Sequence, residues 1–152
     1  MSHEMHFIFQ QDIREVLDHF SRLLAVRFCF LAPDGRELQV GENKPHGKFC
    51  RLVRTKLGLV DRCRQCDRRG WQRAARSGKA VWYQCHAGLI DGCMAVRGEG
   101  RIIGYMMIGQ FRSARTCDAS VRSAWRRRFG NDELQAAFAR VPLYTRRQVE
   151  DI

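Results

Sequence analysis

Apolar residues first return at Ile13, Val16, Leu17, Phe20 and Leu24, the three- and four-residue steps of one helix face. Asp12 followed by Glu15 has the form of a capping box, so an amphipathic helix is expected from there to about Ala25. The pattern then changes period. Val26 to Leu31 is rich in β-formers, Pro33-Asp34-Gly35 signals a turn, and Glu37 to Val40 alternates, which predicts a hairpin. Residues 41–47 form a polar connection holding Pro45. Phe49, Leu52, Val53 and Leu57 mark a short helix ended by Gly58. A longer helix follows from about Val60, with Cys63, Cys66 or Asp67, Gly70, Trp71, Ala74 and Ala75 on one stripe, arginines on the other side, and Ser77-Gly78 as its stop.

From Ala80 to Cys85 and again from Leu89 to Val96 the chain reads as strand, and Gly98-Glu99-Gly100 is a turn. Arg101 to Phe111 is apolar on both of its faces, which predicts a central strand covered on both sides. Asp118 is placed to cap a helix closed by Gly130, and Asn131 to cap another carrying Leu134, Ala137 and Phe138. Thr145 with Gln148 repeats the capping-box form just before residue 152, so residues 145–152 are expected to start a connecting helix into a C-terminal output domain. Helix, two strands, helices and three strands together predict an α+β fold: an antiparallel sheet with inserted and flanking helices, in a PAS-like layout. Residues 1–144 are expected to be one sensory domain.

Bulk numbers narrow the class. A chain of 152 residues with 45% apolar and 28% charged residues fits one globular domain. No apolar run is long enough for a membrane span, and no signal peptide is evident, so a cytoplasmic location is expected. In a reducing compartment the seven cysteines suggest metal or thiol chemistry more than disulfides. The net charge of +11 is carried by arginine, dense over residues 51–76 and 122–128. It reads as the solvated outer faces of helices, because no aromatic residues interleave with a basic strand face; direct binding of nucleic acid is not expected.

Four of the cysteines follow the pattern Cys50-x12-Cys63-x2-Cys66-x18-Cys85, with His86 next in line. Cys63 and Cys66 stand at i and i+3 on the expected helix, so both sulfurs face one way. With Cys50 and Cys85 they supply the soft ligands of a tetrahedral zinc site or an iron–sulfur cluster. Plain packing of small apolar thiols and a thiol redox pair are the alternatives. Cys85 and His86 are strand neighbours pointing to opposite faces, so they do not serve one metal unless the strand breaks there. The glycine two residues past His86 lets a bound molecule approach the backbone. Trp82, Tyr83, Tyr105 and Met107 are core by default, yet some can line a small apolar pocket with His86 or Gln110 as its polar group. No nucleophile elbow, phosphate loop or HExxH motif is present, and no enzymatic activity is expected.

Phe49-Cys50, Cys63-x-x-Cys66, Tyr83-x-Cys85-His86-Ala-Gly88-Leu89 and Ile103-Gly104-Tyr105-x-x-x-Gly109-Gln110 together resemble the PocR sensory domain, over roughly Ile13 to Val141. The resemblance implies a PAS-like fold and a place ahead of an AraC-type DNA-binding domain or a histidine-kinase module. It also implies recognition of small hydrocarbon derivatives such as propanediol. By position, Cys50, Cys63, Cys66 and Cys85 match the family's cysteines, and His86 and Gln110 its other motif residues. The chain departs from that pattern at Gly92 to Val96, where a bulky apolar residue and a proline-containing strand are expected, and where it carries an extra thiol, Cys93. The expected function is a non-enzymatic signal-input domain. It binds its small-molecule effector between the sheet and the Phe49–Ser77 helices and relays the event to an output domain, and a second copy, in a homodimer, is among its expected partners. The alternative is a metal or redox sensor acting through the four cysteines.

Overall fold

The computed structural model describes residues 11–38, 46–145, 147–148 and 151, with the side chain of Ile13 excepted. The elements run α1 (Gln11–Leu24), β1 (Arg27–Leu31), β2 (Glu37–Leu38), α2 (Lys48–Arg51) continued by a π-helical turn (Leu52–Lys56), α3 (Val60–Ser77), β3 (Val81–Gln84), β4 (Ile90–Gly98), β5 (Arg101–Phe111), α4 (Ala119–Phe129) and α5 (Glu133–Ala139). The strands form one open antiparallel sheet in the order β2-β1-β5-β4-β3, so the fold is α+β as expected.

β5 is the middle strand; one face (Tyr105, Met107, Gly109, Phe111) is buried, while the other, apart from Gly104, is half-buried. β5 pairs with β1 from Arg27 opposite Gly109 to Leu31 opposite Tyr105. Gly104 is where β1 comes closest: a Cβ there would stand 2.4 Å from the Leu31 carbonyl oxygen and 2.4 Å from Phe30 Cζ. The β4–β5 turn places Glu99 at φ +47° and Gly100 at φ +81°, the left-handed pair that a tight hairpin needs.

Two compact units are distinguished, each assembled from separate stretches of chain: residues 1–45, 68–82 and 92–109, and residues 46–67, 83–91 and 110–152. In the first, Val26, Phe30, Leu31, Ala74, Cys93, Tyr105 and Met107 are buried. Trp71 holds it together by stacking on Tyr105, with ring centres 5.7 Å apart, while its Nε1 donates to Met107 Sδ at 3.2 Å. In the second, Phe49, Val53, Ala87, Leu89, Val121, Trp125, Leu134 and Phe138 form the core, and Phe49 meets Phe138 edge-on at 5.0 Å.

Helix ends follow the sequence signals with two exceptions. Asp118 Oδ1 accepts from Ser120 N and Val121 N at 2.9 and 3.2 Å, and Gly130 closes α4 at φ +64°. Asn131 Oδ1 takes the Glu133 N–H at 3.1 Å, as a cap does, although Asp132 is the boundary residue of α5. The first exception is therefore a shift of one residue, arising because Asn131 Oδ1 also accepts from Trp125 Nε1 at 2.8 Å. The second lies in α1, where Asp12 is already helical and Glu15 Oε1 accepts from the Gln11 side chain at 2.9 Å, so no capping box forms there. At the far end Thr145 and Gln148 do bond reciprocally, Thr145 N to Gln148 Oε1 at 2.9 Å and Gln148 N to Thr145 Oγ1 at 3.3 Å. The rest of the expected connecting helix, and the strand residues 39–40, lie largely outside the described residues.

Candidate functional site

All four motif cysteines, His86 and Gln110 belong to the second unit. Its geometry starts from two breaks in regular structure. After β3 the chain turns at once: Gly88 N donates to Cys85 O at 3.0 Å and Cys85 N to Leu89 O at 2.8 Å, with Gly88 at φ +96°. Any Cβ on Gly88 would stand 3.1 Å from Asp118 N, so this tight loop lies against the start of α4. It frees His86 from strand geometry and brings its Nε2 to 3.3 Å from Cys63 Sγ on α3. The other ring nitrogen, Nδ1, is buried and has no hydrogen-bond partner among the described residues. Burial, and then the nearby Arg62 guanidinium, hold the His86 pKa below the ordinary imidazole value, with Asp118 opposing them. The ring is thus kept neutral, and Cys63 fixes one of its nitrogens.

The second break is Gln110, one residue before the end of β5, at φ +64°, a left-handed conformation that side chains other than glycine rarely hold. Its Oε1 accepts from Gly47 N at 2.9 Å, fastening the residue ahead of α2, and its own N–H reaches Asp91 Oδ1 at 3.4 Å. The residue is half-buried, and its side-chain carbonyl oxygen and its backbone donor are both accounted for.

Among the described residues no three histidine, cysteine or carboxylate side chains are gathered so as to hold a metal ion. Cys50, Cys63 and Cys85 flank the second unit's core. Burial raises the pKa of these three thiols. For Cys50 the Asp91 carboxylate and the neighbouring Cys85 and Cys63 add to it, and Cys85 is pushed up to about 12, with Asp91 again contributing. Without a metal bound, burial thus favours the protonated form of these three thiols. The extra thiol, Cys93, is buried in the first unit.

The expected pocket residues divide between the units. Trp82, Tyr105 and Met107 are in the first, where Trp82 covers Gly92 so closely that a Cβ there would lie 2.3 Å from the indole ring. Tyr83 is in the second and donates its hydroxyl to Asp67 Oδ1 at 2.9 Å. A shallow surface groove of about 430 Å³ lies in the first unit between Ala32, Pro33, Arg36, Leu38, Arg101 and Ile103, and holds none of the expected site residues.

Two residues of the second unit escaped the sequence reading. Asp91 is a carboxylate within an apolar strand pattern, and that incongruity was its signal. Arg112 had none, since it is one arginine among many. Its Nε, Nη1 and Nη2 donate to the carbonyls of Val141, Ala114 and Ala139 at 2.9, 2.9 and 3.0 Å. Its backbone also exchanges bonds with Pro142 O and Tyr144 N at 2.9 and 3.0 Å.

The whole of residues 6–152 matches the family described as the sensory domain found in PocR. The chain belongs to the PocR sensory-domain family. Over 64 residues it is also 38% identical to the "Regulatory protein PocR" of Salmonella typhimurium, a match covering 42% of this chain and 21% of that protein. The chain thus aligns with about a fifth of the length of that relative. Membership supports a sensory, signal-input role in regulation. No helix among the described residues is long and apolar enough to cross a membrane.

Proposed function

We propose that this PocR domain binds a small, uncharged, oxygen-bearing organic molecule, a short hydrocarbon derivative such as a diol, and passes that event to a transcriptional or kinase output module. The observation that carries the reading is the buried, unpartnered Nδ1 of His86. A buried polar atom without a partner costs about 1–3 kcal/mol, so such atoms mark places where something else supplies the bond. A hydroxyl is suited to this one, because it donates to a bare Nδ1 and accepts from a protonated one, whichever tautomer the Cys63 contact selects. The lowered pKa favours a neutral partner over an anion. Gln110, at the strand end, is the second polar anchor.

The relay follows from the order of residues on β5. Gln110 is strained and held from outside its own strand, and Arg112, two residues on, grips the segment from Ala139 to Tyr144 that leads to the Thr145–Gln148 turn. A ligand that favours one setting of Gln110 biases the setting of that segment by population shift. A thermal-shift panel of short diols, alcohols and aldehydes tests the binding: at least one compound raises the melting temperature of the wild-type chain. A flat response across the panel contradicts it.

A second reading, a metal or redox sensor, has the Cys63–His86 contact in its favour, since thiol and imidazole are both zinc ligands. Metal analysis and the visible spectrum of anaerobically purified protein decide it. Stoichiometric zinc, or iron–sulfur absorption, lost together with stability in Cys63→Ser would establish it; metal-free, colourless and equally stable protein would remove it.

A further inference from the structure

The helix at the start of the described chain shows solvent a face that ordinary packing would cover. On α1, Val16, Phe20 and Leu23 lie at i, i+4 and i+7, one stripe, and are 51%, 50% and 78% exposed. The opposite side of the same helix is the one that packs inward: Ser21 is buried, and its Oγ donates to Val26 O at 2.5 Å. The apolar stripe is therefore additional to the helix's own core contact. Scattered exposed apolar residues are ordinary, but three large ones in register on a single helix form a patch.

Charge selects what covers it. The chain as a whole carries +11, so most of its surface repels a second copy. α1 does not share that bias: Asp12, Glu15 and Asp18 stand against Arg14 and Arg22. Glu15 and Arg22 are both exposed, are seven residues apart, and so lie along the same flank of the stripe. In an antiparallel pairing of two α1 helices whose two-fold axis passes near Phe20, each Val16 faces the partner's Leu23 and the two Phe20 rings meet at the axis. The same pairing brings each Glu15 within about one helical turn of the partner's Arg22, twice by symmetry. A parallel pairing would instead place each copy's Glu15 and Arg22 on the opposite side of the seam from the partner's, out of reach. The apolar stripe can pair in either sense, but the charged flank is self-complementary only in the antiparallel one.

We infer that α1 is a homodimerisation face, and that its occupant is the antiparallel α1 of a second copy. Three apolar residues a side make a small interface, so association is weak, in the micromolar range. Sedimentation equilibrium of the chain from about 1 to 200 µM is expected to show a reversible monomer–dimer equilibrium. Leu23→Glu and Phe20→Asp, both solvent-facing changes, are expected to leave the circular dichroism spectrum unchanged and to shift the equilibrium at least tenfold toward monomer. Glu15→Arg and Arg22→Glu are each expected to weaken the dimer, and the two together to restore it. A wild-type chain that stays monomeric over the whole range overturns the inference. So does a dimer indifferent to Leu23→Glu, or a double charge swap that fails to rescue, since either places the contact elsewhere or in another orientation.

Discussion

The chemistry of the candidate site is decided atom by atom, and its pH dependence follows. His86 has a lowered pKa in the folded chain, so the unfolded chain binds a proton at higher pH than the folded one does. Its contribution to stability is present above the ordinary imidazole value of about 6.5 and is lost as pH falls below it. Cys85 has the opposite sign. Its thiol is raised from 9.0 to about 12, so stability is intact below pH 9 and is lost as pH rises from there toward 12. Denaturant midpoints measured across pH are expected to fall on both sides, with Cys85→Ala flattening the alkaline limb and His86→Phe the acidic one. Unchanged limbs in those variants would contradict these assignments. Cys63, Cys85, His86 and Gln110 were all legible as residues of interest, because cysteine pairs, a Cys-His step and a Gly-Gln strand end are conspicuous in sequence. What each one touches was not. The left-handed break at Gln110 depends on Gly47 and Asp91, which arrive from 63 and 19 residues away, and no local pattern reports such a meeting. The same holds for the cysteines: spacing places Cys63 and Cys66 on one helix face, but where Cys50 and Cys85 stand relative to them is a tertiary fact.

Among the elements, the strands were read most fully. Period-two alternation, the Gly98–Gly100 turn and the two-sided apolar run of β5 gave the hairpins and the central position of β5, with bounds within a residue or two. The π-helical turn at Leu52–Lys56 was not legible; it is a single wider loop of backbone, Leu57 N bonding to Leu52 O at 3.1 Å, within a segment whose apolar spacing still suits an α-helix. β5 also makes two element-scale expectations. Gly104→Ala puts a methyl against the Leu31 carbonyl, a backbone atom that cannot turn aside, so a loss of about 1–3 kcal/mol is expected in chemical denaturation. A variant as stable as wild type would show that β1 and β5 separate more easily than the register suggests. Arg112→Ala removes two bonds to the segment 139–141 and one to Ala114 while leaving Gln110 and His86 in place. In a full-length regulator carrying this domain, ligand binding is expected to persist within about threefold while the transcriptional or kinase response is largely lost. Equal loss of binding and response would make Arg112 a structural residue only.

At the scale of the molecule the sequence supplied the α+β class and the family, because the motifs of a PocR sensory domain stretch from end to end. The arginine excess lies on solvated helix surface: along α3 the side chains of Arg62, Arg64, Arg68, Arg69, Arg73 and Arg76 are exposed, away from the buried Gly70 and Ala74. The division into two units built from interleaved stretches of chain was invisible in one dimension; Trp82, Tyr105 and Met107 belong to one unit, and Tyr83, His86 and Gln110 to the other. The account therefore rests on the second unit and on one nitrogen. Calorimetric titration of the best diol or alcohol from the panel into wild type and into His86→Phe, with folding of both verified by circular dichroism, addresses it directly. The expected result is saturable one-to-one binding to wild type and affinity at least tenfold weaker in the variant, as loss of one buried hydrogen bond worth about 1.4 kcal/mol or more requires. Equal affinity in the two proteins would contradict the claim that His86 Nδ1 receives the ligand.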